Sequence, residues 1–428
     1  MTEKITYEDL RLPNYLNGRI VGTVGGTLLT ITDAIDAALL AKNNVFVGGK
    51  RGSGKSQLLF DIRDSRYGGK GMVVEGRADL KADEVFKHTN MRKLHDALRD
   101  GTIESSQEII ELAQAVGYRF FGVDEINRLP EVTQNELLSP MNGYVLHQGN
   151  PVPLGDGFCV GLATGNLGNG EYVGTFKLDG ALADRLHLFL NLDFWKPTDE
   201  DMAIIDVRRL ADPRIKRVAE PCDISDRIVA AQRDIAAQEY PVEMLLIGRY
   251  LERSLDYCSK FPSAEHSKDN LGPAWPVICT QKACDLREKL CGSVKAVGER
   301  TVQATKRLAL GLQYVAQLKD ASTKDDPMNA MLTAVQLLLP YSGVISPAYL
   351  RKEGIFNNPD LAAKELMGEL RSDIHTEFGN TDQPGPLLTS LAYAMKGKLA
   401  ERPYEPSKAH WKFAQSFLRE LNASQGAR

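Results

Sequence analysis

The residues with the clearest chemical meaning form a glycine-rich segment at positions 49–56. Its sequence, Gly-Lys-Arg-Gly-Ser-Gly-Lys-Ser, matches the pattern G-x-x-x-x-G-K-[ST]. Glycines let successive backbone N–H groups point inward at a helix N-terminus, and such a group of donors binds phosphate. The lysine would neutralise the β- and γ-phosphates of a nucleotide, and the last serine would be a ligand of Mg²⁺. The predicted phosphate-site residues are Gly49, Lys50, Arg51, Gly52, Ser53, Gly54, Lys55 and Ser56.

Two adjacent carboxylates follow an apolar run further along the chain. Asp124 and Glu125 come directly after the sequence Phe-Phe-Gly-Val. The carboxyl ends of parallel strands are where α/β sheets bind ligands. Asp124 would hold the nucleotide-bound Mg²⁺ together with Ser56, and Glu125 would polarise the attacking water. An ordinary pair of surface acids at a strand end is the alternative, and the upstream phosphate loop favours the catalytic interpretation.

Two further polar positions could complete a phosphoryl-transfer site. Asn166 ends the segment Ala-Thr-Gly-Asn, and its amide could orient the attacking water beside the γ-phosphate. Arg185 could meet the γ-phosphate of a neighbouring subunit, because a planar guanidinium suits charge spread over three oxygens. An Asp-Arg pair on a solvated helix face explains the segment around Arg185 equally well.

These side chains must be brought together by a sheet, and the chain predicts one. Strand-like apolar runs alternate with helix-like stretches at 30–42 and 57–63, which indicates a parallel α/β sheet. A strand before the glycine-rich segment and a helix after it argue against a chance loop. The segment 144–154 predicts a hairpin that projects from the sheet. The predicted strands are residues 44–48, 72–75, 119–123 and 158–164.

The composition limits the class of protein. The chain has 428 residues, of which 52 are Lys or Arg and 56 are Asp or Glu, so the formal net charge is −4. At roughly 100–200 residues per domain, this length predicts several domains. Hydrophobic residues make up 43% of the chain, which excludes wholesale disorder. The charge balance gives no sequence-wide basic surface for nucleic acid.

The sequence also bears on compartment. No stretch reaches the roughly 18–20 apolar residues that span a bilayer, so membrane insertion is not expected. The N-terminal residues lack the apolar core of a secretory signal, and six cysteines are too few for a disulfide scaffold. We therefore predict a cytoplasmic protein.

The pattern of predicted elements changes along the chain. We predict an α/β nucleotide-binding domain at 1–197, a mostly helical domain at 198–350 and a C-terminal extension at 351–428. The clearest amphipathic helix in the helical domain is predicted at 306–318, and a further helix is predicted at 407–421.

Four cysteines are clustered in the predicted helical domain. Soft thiolates grouped in this way could hold zinc or an iron–sulfur cluster. The spacing lacks a C-x₂-C pair, and two of the four are seven residues apart, as on one buried helix face. Buried thiols are therefore the favoured interpretation for Cys258, Cys279, Cys284 and Cys291.

A family resemblance extends these inferences. The segment Asp124-Glu-Ile-Asn-Arg128, followed by Thr133-Gln134 and Leu137-Leu138, resembles the signature of MoxR-family AAA+ ATPases. It implies an α/β fold with a P-loop AAA+ parallel-sheet core, a helical lid and a helical C-terminal extension. ATP and Mg²⁺ are the implied cofactors. Residues 15–195 carry the resemblance well, through further segments at 19–22, 77–83 and 170–185.

The resemblance also implies a role for each site residue. The segment 144–154 corresponds to the hairpin that precedes the first sensor, and the second sensor is expected at the start of a lid helix. The implied roles are Walker A for Lys55 and Ser56, Walker B for Asp124 and Glu125, sensor 1 for Asn166, arginine finger for Arg185 and sensor 2 for Arg300.

The resemblance implies a ring ATPase, expected to be a hexamer, that remodels or assembles protein clients in a chaperone-like way. A von Willebrand factor A domain protein is the implied partner. A DNA-acting motor or restriction-type translocase is the alternative, but the 144–154 segment holds only His147 as a potential cation. A nucleotide-gated scaffold without turnover is a third hypothesis, and the intact Glu125 argues against it.

Overall fold

The structure is a computed structural model that describes residues 3–80, 87–89, 110–112, 117–147, 150–166, 178–209, 215–255, 290, 292–378, 389–390 and 393. The chain forms two compact units. The first comprises Met1–Ile20 and Thr30–Ala236, and the second comprises Val21–Leu29 and Ala237–Arg428. The domain boundaries at 197 and 350 remain predictions.

Eleven strands occur in the described part of the chain. They are β1 (Ile20–Val24), β2 (Thr27–Thr30), β3 (Val45–Gly48), β4 (Met72–Glu75), β5 (Lys87–Thr89), β6 (Ile110–Leu112), β7 (Phe120–Asp124), β8 (Tyr144–His147), β9 (Asn150–Pro153), β10 (Val160–Gly165) and β11 (Leu188–Asn191).

The α-helices of the same part of the chain lie between and after these strands. They are α1 (Ile31–Leu40), α2 (Lys55–Tyr67), α3 (Glu131–Glu136), α4 (Leu138–Met141), α5 (Gly180–Ala183), α6 (Asp199–Arg209), α7 (Ser225–Ala236), α8 (Val242–Arg249), α9 (Glu299–Lys319), α10 (Pro327–Leu338), α11 (Pro347–Leu350) and α12 (Pro359–Phe378). Among the described residues, no helix is long and apolar enough to cross a membrane.

The first unit contains a five-stranded parallel sheet with the order β11-β3-β10-β7-β4. Its central strands are buried on both faces, so their sequences are nearly continuous apolar runs. The four predicted strands are confirmed as β3, β4, β7 and β10. The fifth strand, β11, was not predicted. The α/β fold with a parallel sheet and a helical C-terminal region is likewise confirmed.

Helices α1 and α2 come directly before and after β3 in the chain. The N-cap Thr30 of α1 forms a capping box, because its Oγ1 accepts from the Asp33 N–H and its own N–H donates to Asp33 Oδ2 at 2.8 Å. Helix α2 starts within the glycine-rich segment, at Lys55, and packs against β7. Gly122 permits this packing, since a Cβ there would lie 3.0 Å from Val73 and 3.3 Å from Leu59 of α2. Both predicted helices, at 30–42 and 57–63, are confirmed.

The predicted hairpin is also present. Strands β8 and β9 pair antiparallel, with Tyr144 opposite Pro153 and His147 opposite Asn150. Val145 packs into the core beneath the sheet, whereas Leu146 is 54% exposed.

The second unit combines the β1–β2 hairpin with the long helices α9 and α10. Gly22 of the hairpin lies against α10, where a Cβ would be 2.6 Å from Thr333 Oγ1. Asp326 caps α10 and also accepts the Gly25 N–H at 3.1 Å. The helix predicted at 306–318 is confirmed within α9, which begins earlier, at Glu299.

Candidate nucleotide-binding site

The predicted site residues of the first unit converge at the carboxyl end of the parallel sheet. Gly48 at the end of β3 pairs with Gly165 of β10, and Ala163 of β10 pairs with Val123 of β7. The phosphate loop follows β3, and Asp124 ends β7. Because the strands are parallel, these ends meet at one edge of the sheet, where α/β proteins bind ligands.

The glycine-rich loop has the backbone shape that phosphate binding requires. Gly52 and Gly54 adopt φ values of 79° and 84°, in the left-handed region that glycine tolerates. Helix α2 begins directly afterwards at Lys55 and runs for 13 residues. Its first backbone N–H groups therefore face the loop and can act as donors to phosphate.

Lys55 is held against the loop itself. Its Nζ donates to the carbonyl oxygens of Gly49 and Lys50, both at 2.7 Å. Burial lowers the pKa of Lys55, and the nearby carboxylates of Asp193 and Asp124 act in the opposite direction without cancelling that effect. The ammonium is thus placed where incoming phosphate oxygens could replace the loop carbonyls as acceptors.

The two predicted magnesium ligands are adjacent. Ser56 Oγ donates to Asp124 Oδ1 at 3.0 Å. Hydroxyl and carboxylate oxygens are the ligands that Mg²⁺ takes in proteins, usually with several waters retained. The residues present therefore fit a nucleotide-bound Mg²⁺ between the phosphate loop and the end of β7.

Thr164 joins the acidic residues to the neighbouring strand. Its Oγ1 donates to Asp124 Oδ1 and accepts the Glu125 N–H at 3.0 Å. The side chain is completely buried. Sequence reasoning missed this residue, although a polar residue near the end of an otherwise apolar strand was a usable signal.

Glu125 has an unusual backbone conformation and an ion-pair partner. Its φ is 54°, which turns the chain sharply after β7. Its carboxylate accepts from Arg128, with Nε 2.7 Å from Oε2 and Nη2 3.2 Å from Oε1. Arg128 thus contacts both oxygens of the predicted base, a contact that the sequence pattern did not reveal.

Asn127 holds the backbone of the predicted sensor residue. Its Nδ2 donates to the Asn166 carbonyl oxygen at 3.0 Å, and its Oδ1 accepts the Asn166 N–H at 3.3 Å. Both residues are buried. This reciprocal pair fixes the place where β10 ends and was also missed by sequence reasoning.

Asp193 contacts the start of the phosphate loop from the end of β11, which pairs with β3. Its carboxylate accepts the Lys50 N–H, at 3.2 Å from Oδ1 and 3.1 Å from Oδ2. It lies just after β11, the strand that sequence patterns did not predict. The loop is therefore held by acidic residues from two different strand ends.

The two predicted arginines belong to different units. Arg185 follows α5, where its Nη1 donates to the Ala181 carbonyl oxygen at 2.7 Å. Within the described residues it makes no hydrogen bond to the loop, Asp124 or Glu125. Arg300 is in the first turn of α9, in the second unit, and is exposed. Both roles remain predictions.

The predicted cysteine cluster lies outside the described residues, which leaves its metal binding untested. Among the residues that the structure describes, no group of histidine, cysteine or acidic side chains could hold a metal ion through three or more ligands. Two other cysteines are described, of which Cys159 is buried and Cys222 is exposed. Burial raises the pKa of the Cys159 thiol to about 12, so it stays protonated near neutral pH.

Among solved structures, a protein of Cytophaga hutchinsonii that is described provisionally as an ATPase has a TM-score of 0.52 and 14% identity. The match covers 79% of this chain and 88% of that one, and shows a similar fold. A full-length MCM homolog from Methanopyrus kandleri has a TM-score of 0.42 and 15% identity, over 72% of this chain and 54% of that one. At that TM-score the second likeness supports no conclusion about this chain.

A family match covers the site itself. Residues 44–186 match the AAA domain of the dynein-related subfamily. This range holds the phosphate loop, both acids, Asn166 and Arg185, whereas no relative was found among curated proteins. The chain thus contains an AAA domain built on a parallel sheet, and it is an ATP hydrolase that uses Mg²⁺.

Proposed function

We propose that this protein is a MoxR-like AAA+ ATPase that hydrolyses ATP at the subunit interfaces of a ring and uses the energy to remodel or assemble protein clients. The observation that carries the proposal is the 3.0 Å contact between Ser56 Oγ and Asp124 Oδ1 beside the phosphate loop, with Glu125 next in the chain. This arrangement supports the proposal of a metal-binding pair and a base at the same strand end.

Each residue then has a chemical task. The loop N–H groups and Lys55 bind the phosphates, and Ser56 and Asp124 hold the ion. Mg²⁺, when bound, supplies charge that offsets the negative charge developing on the phosphate oxygens. Glu125 accepts a proton from the attacking water, and Asn166 orients that water. Each Glu125 oxygen accepts one bond from Arg128, and a carboxylate has about four acceptor sites, so Glu125 can accept the water while it stays paired with Arg128.

Ring assembly is supported by the state of Arg185. Its Nη1 bonds to its own helix, and its Nε is buried without a partner among the described residues. In a ring, this guanidinium would complete the site of the next subunit, and Arg300 would act from the lid. Six subunits are the proposed number.

A protein client is favoured over nucleic acid. The β8–β9 hairpin carries the exposed apolar side chain of Leu146 and has no Lys or Arg from Tyr144 to Pro153. Backbone phosphates are bound mainly by Lys and Arg, so the hairpin is poorly suited to a DNA-acting motor. A von Willebrand factor A domain protein is the proposed partner, and the cytoplasm is the proposed compartment.

Hydrolysis assays on two variants test the proposed chemistry. Lys55→Ala should lose ATP binding, because it removes the cation that neutralises the phosphates. Glu125→Gln should bind ATP as the unchanged protein does but cleave it at least about 100-fold more slowly, as expected for loss of a general base. Filter binding of labelled ATP and single-turnover phosphate release provide the two readouts. A Glu125→Gln protein with undiminished cleavage would contradict the assignment.

A further inference from the structure

The Thr164 hydroxyl is the only described side-chain group that bonds to both acidic residues of the site. It donates its single proton to Asp124 Oδ1 and accepts the Glu125 N–H at 3.0 Å. Thr164 is 0% exposed, so water cannot take over either bond. One hydroxyl thereby fixes a side chain and the backbone of the following residue.

We infer that Thr164 is a positioning residue for magnesium: it holds the Asp124 carboxylate in the orientation that the nucleotide-bound ion requires. The inference rests on the proposed roles of Ser56 and Asp124. Thr164 does not itself touch the ion, the nucleotide or the attacking water. It acts through the carboxylate that it holds.

The two carboxylate oxygens of Asp124 differ in their hydrogen bonds. Ser56 and Thr164 both donate to Oδ1, the first from α2 and the second from β10. Among the described residues, none donates to Oδ2. The anchored oxygen therefore sets the carboxylate plane, and the other oxygen is left for the ion or for a water bound to it.

Threonine suits this task because of its position and its shape. Ala163 pairs with Val123 in the β10–β7 ladder, so the next residue of β10 lies level with Asp124. A β-branched side chain has few χ1 rotamers in a strand, and this keeps the hydroxyl aimed at the neighbouring strand end. Serine would present the same hydroxyl with more rotamer freedom, and valine would fill the same space without it.

Removing a residue that hydrogen-bonds to a metal ligand typically lowers the metal affinity by about 10–100-fold. We therefore expect Thr164→Val to raise the Mg²⁺ concentration for half-maximal tightening of nucleotide binding by about tenfold or more. The affinity for nucleotide in EDTA should be unchanged, since the phosphate loop is intact. Thr164→Ser should stay within about threefold of the unchanged protein, because the hydroxyl is retained.

The test uses full-length protein and a fluorescent ADP analogue, whose binding is measured while Mg²⁺ is titrated into EDTA-treated samples. ADP is chosen because binding is then read without turnover. Thermal unfolding of each variant reports whether it folds. If Thr164→Val does not fold, Thr164→Ala supplies the same loss of the hydroxyl with a smaller side chain.

The variant Asp124→Asn distinguishes a failure of the Thr164 role from a failure of the proposed metal site. If Asp124→Asn weakens the Mg²⁺ dependence and the hydroxyl-free variant does not, the role of Thr164 is overturned and the metal site stands. If neither changes it, the proposed metal site itself fails. If Thr164→Ser loses as much affinity as Thr164→Val, the hydroxyl is not the cause, and the inference also fails.

Discussion

Asn127 offers a test at the scale of a single residue. Asn127→Ala would leave the buried N–H and C=O groups of Asn166 without their described partners. An unpaired buried polar group costs about 1–3 kcal/mol, so we expect the free energy of unfolding to fall by about 2 kcal/mol or more. Asn166, the proposed sensor, would also lose its fixed place, and misplaced groups can lower kcat by about 100-fold.

Urea unfolding and steady-state hydrolysis provide the measurements for this prediction. Asn142→Ala is a matched control, because Asn142 is an exposed asparagine of the same unit. Exposed substitutions of this kind usually change stability by about 0.5 kcal/mol or less. Equal behaviour of the two variants would show that the Asn127 contacts do not hold the end of β10.

Helix α2 shows how contacts outside the site stabilise one of its elements. Asp61 accepts the Tyr15 N–H at 2.7 Å and the Asn14 N–H at 2.9 Å, so the N-terminal segment is bound to the helix. On another side, Asp64 accepts from Arg217, with Nε 2.6 Å from Oδ2 and Nη2 3.0 Å from Oδ1. Since α2 begins at the phosphate loop, these contacts limit how far the loop can shift.

The lowered pKa of Asp64 predicts that the free energy of unfolding depends on pH. Burial alone would raise the pKa of Asp64, but hydrogen bonds from Arg217 and Arg63 outweigh it and lower the pKa below its ordinary 3.8. The folded chain therefore binds fewer protons than the unfolded chain. The stabilisation is present above about pH 4 and is lost as the pH falls through the folded pKa.

We expect Asp64→Asn to lower the free energy of unfolding by about 1–3 kcal/mol at pH 7, the usual range for a charged hydrogen-bonded group. The unchanged protein and the variant should converge in stability as the pH is lowered below 4. Chemical unfolding at a series of pH values measures this, with Asp206→Asn on an exposed helical position as control. A difference that persists unchanged in acid would contradict the electrostatic explanation.

The sheet and the site differ in how far the sequence predicts them. Strands such as β3 and β10 are buried on both faces, and the resulting apolar runs are visible in the sequence. Strand β11 has four residues, as β3 does, and its apolar run Leu188-Phe189-Leu190 was a usable signal that the sequence prediction did not use. Motif spacing indicated Lys55 and Asp124, whereas Thr164, Asn127 and Asp193 act through contacts between strand ends that are distant in sequence.

At the scale of the whole molecule, the proposed ring predicts that assembly depends on nucleotide. Glu125→Gln with Mg²⁺ and ATP should accumulate as a particle of about six 47.2 kDa chains, because ATP is retained at the interfaces. Arg185→Ala should still assemble but should hydrolyse ATP about 1,000-fold more slowly or worse, as for other trans-acting arginines. Mass photometry and phosphate release measure these outcomes.

A mixing experiment makes the test of Arg185 sharper. Glu125→Gln subunits keep the arginine but have an inactive site, and Arg185→Ala subunits have the reverse. Mixed rings should regain hydrolysis, since a Glu125→Gln subunit supplies the arginine to a neighbour with an intact base. Failure to regain activity in mixtures that demonstrably co-assemble would exclude action of Arg185 across an interface.

The second unit is discontinuous in sequence, and this restricts how the gene can be divided. Its hairpin segment, Val21–Leu29, is encoded ahead of the phosphate loop, whereas the rest begins at Ala237. A fragment that starts at Ala237 would lack the strand whose Gly22 covers Thr333, and it would expose the buried side of α10 to solvent. Recombination that exchanged only the nucleotide-binding part would therefore also exchange a piece of the helical unit, so the two parts are expected to be inherited together.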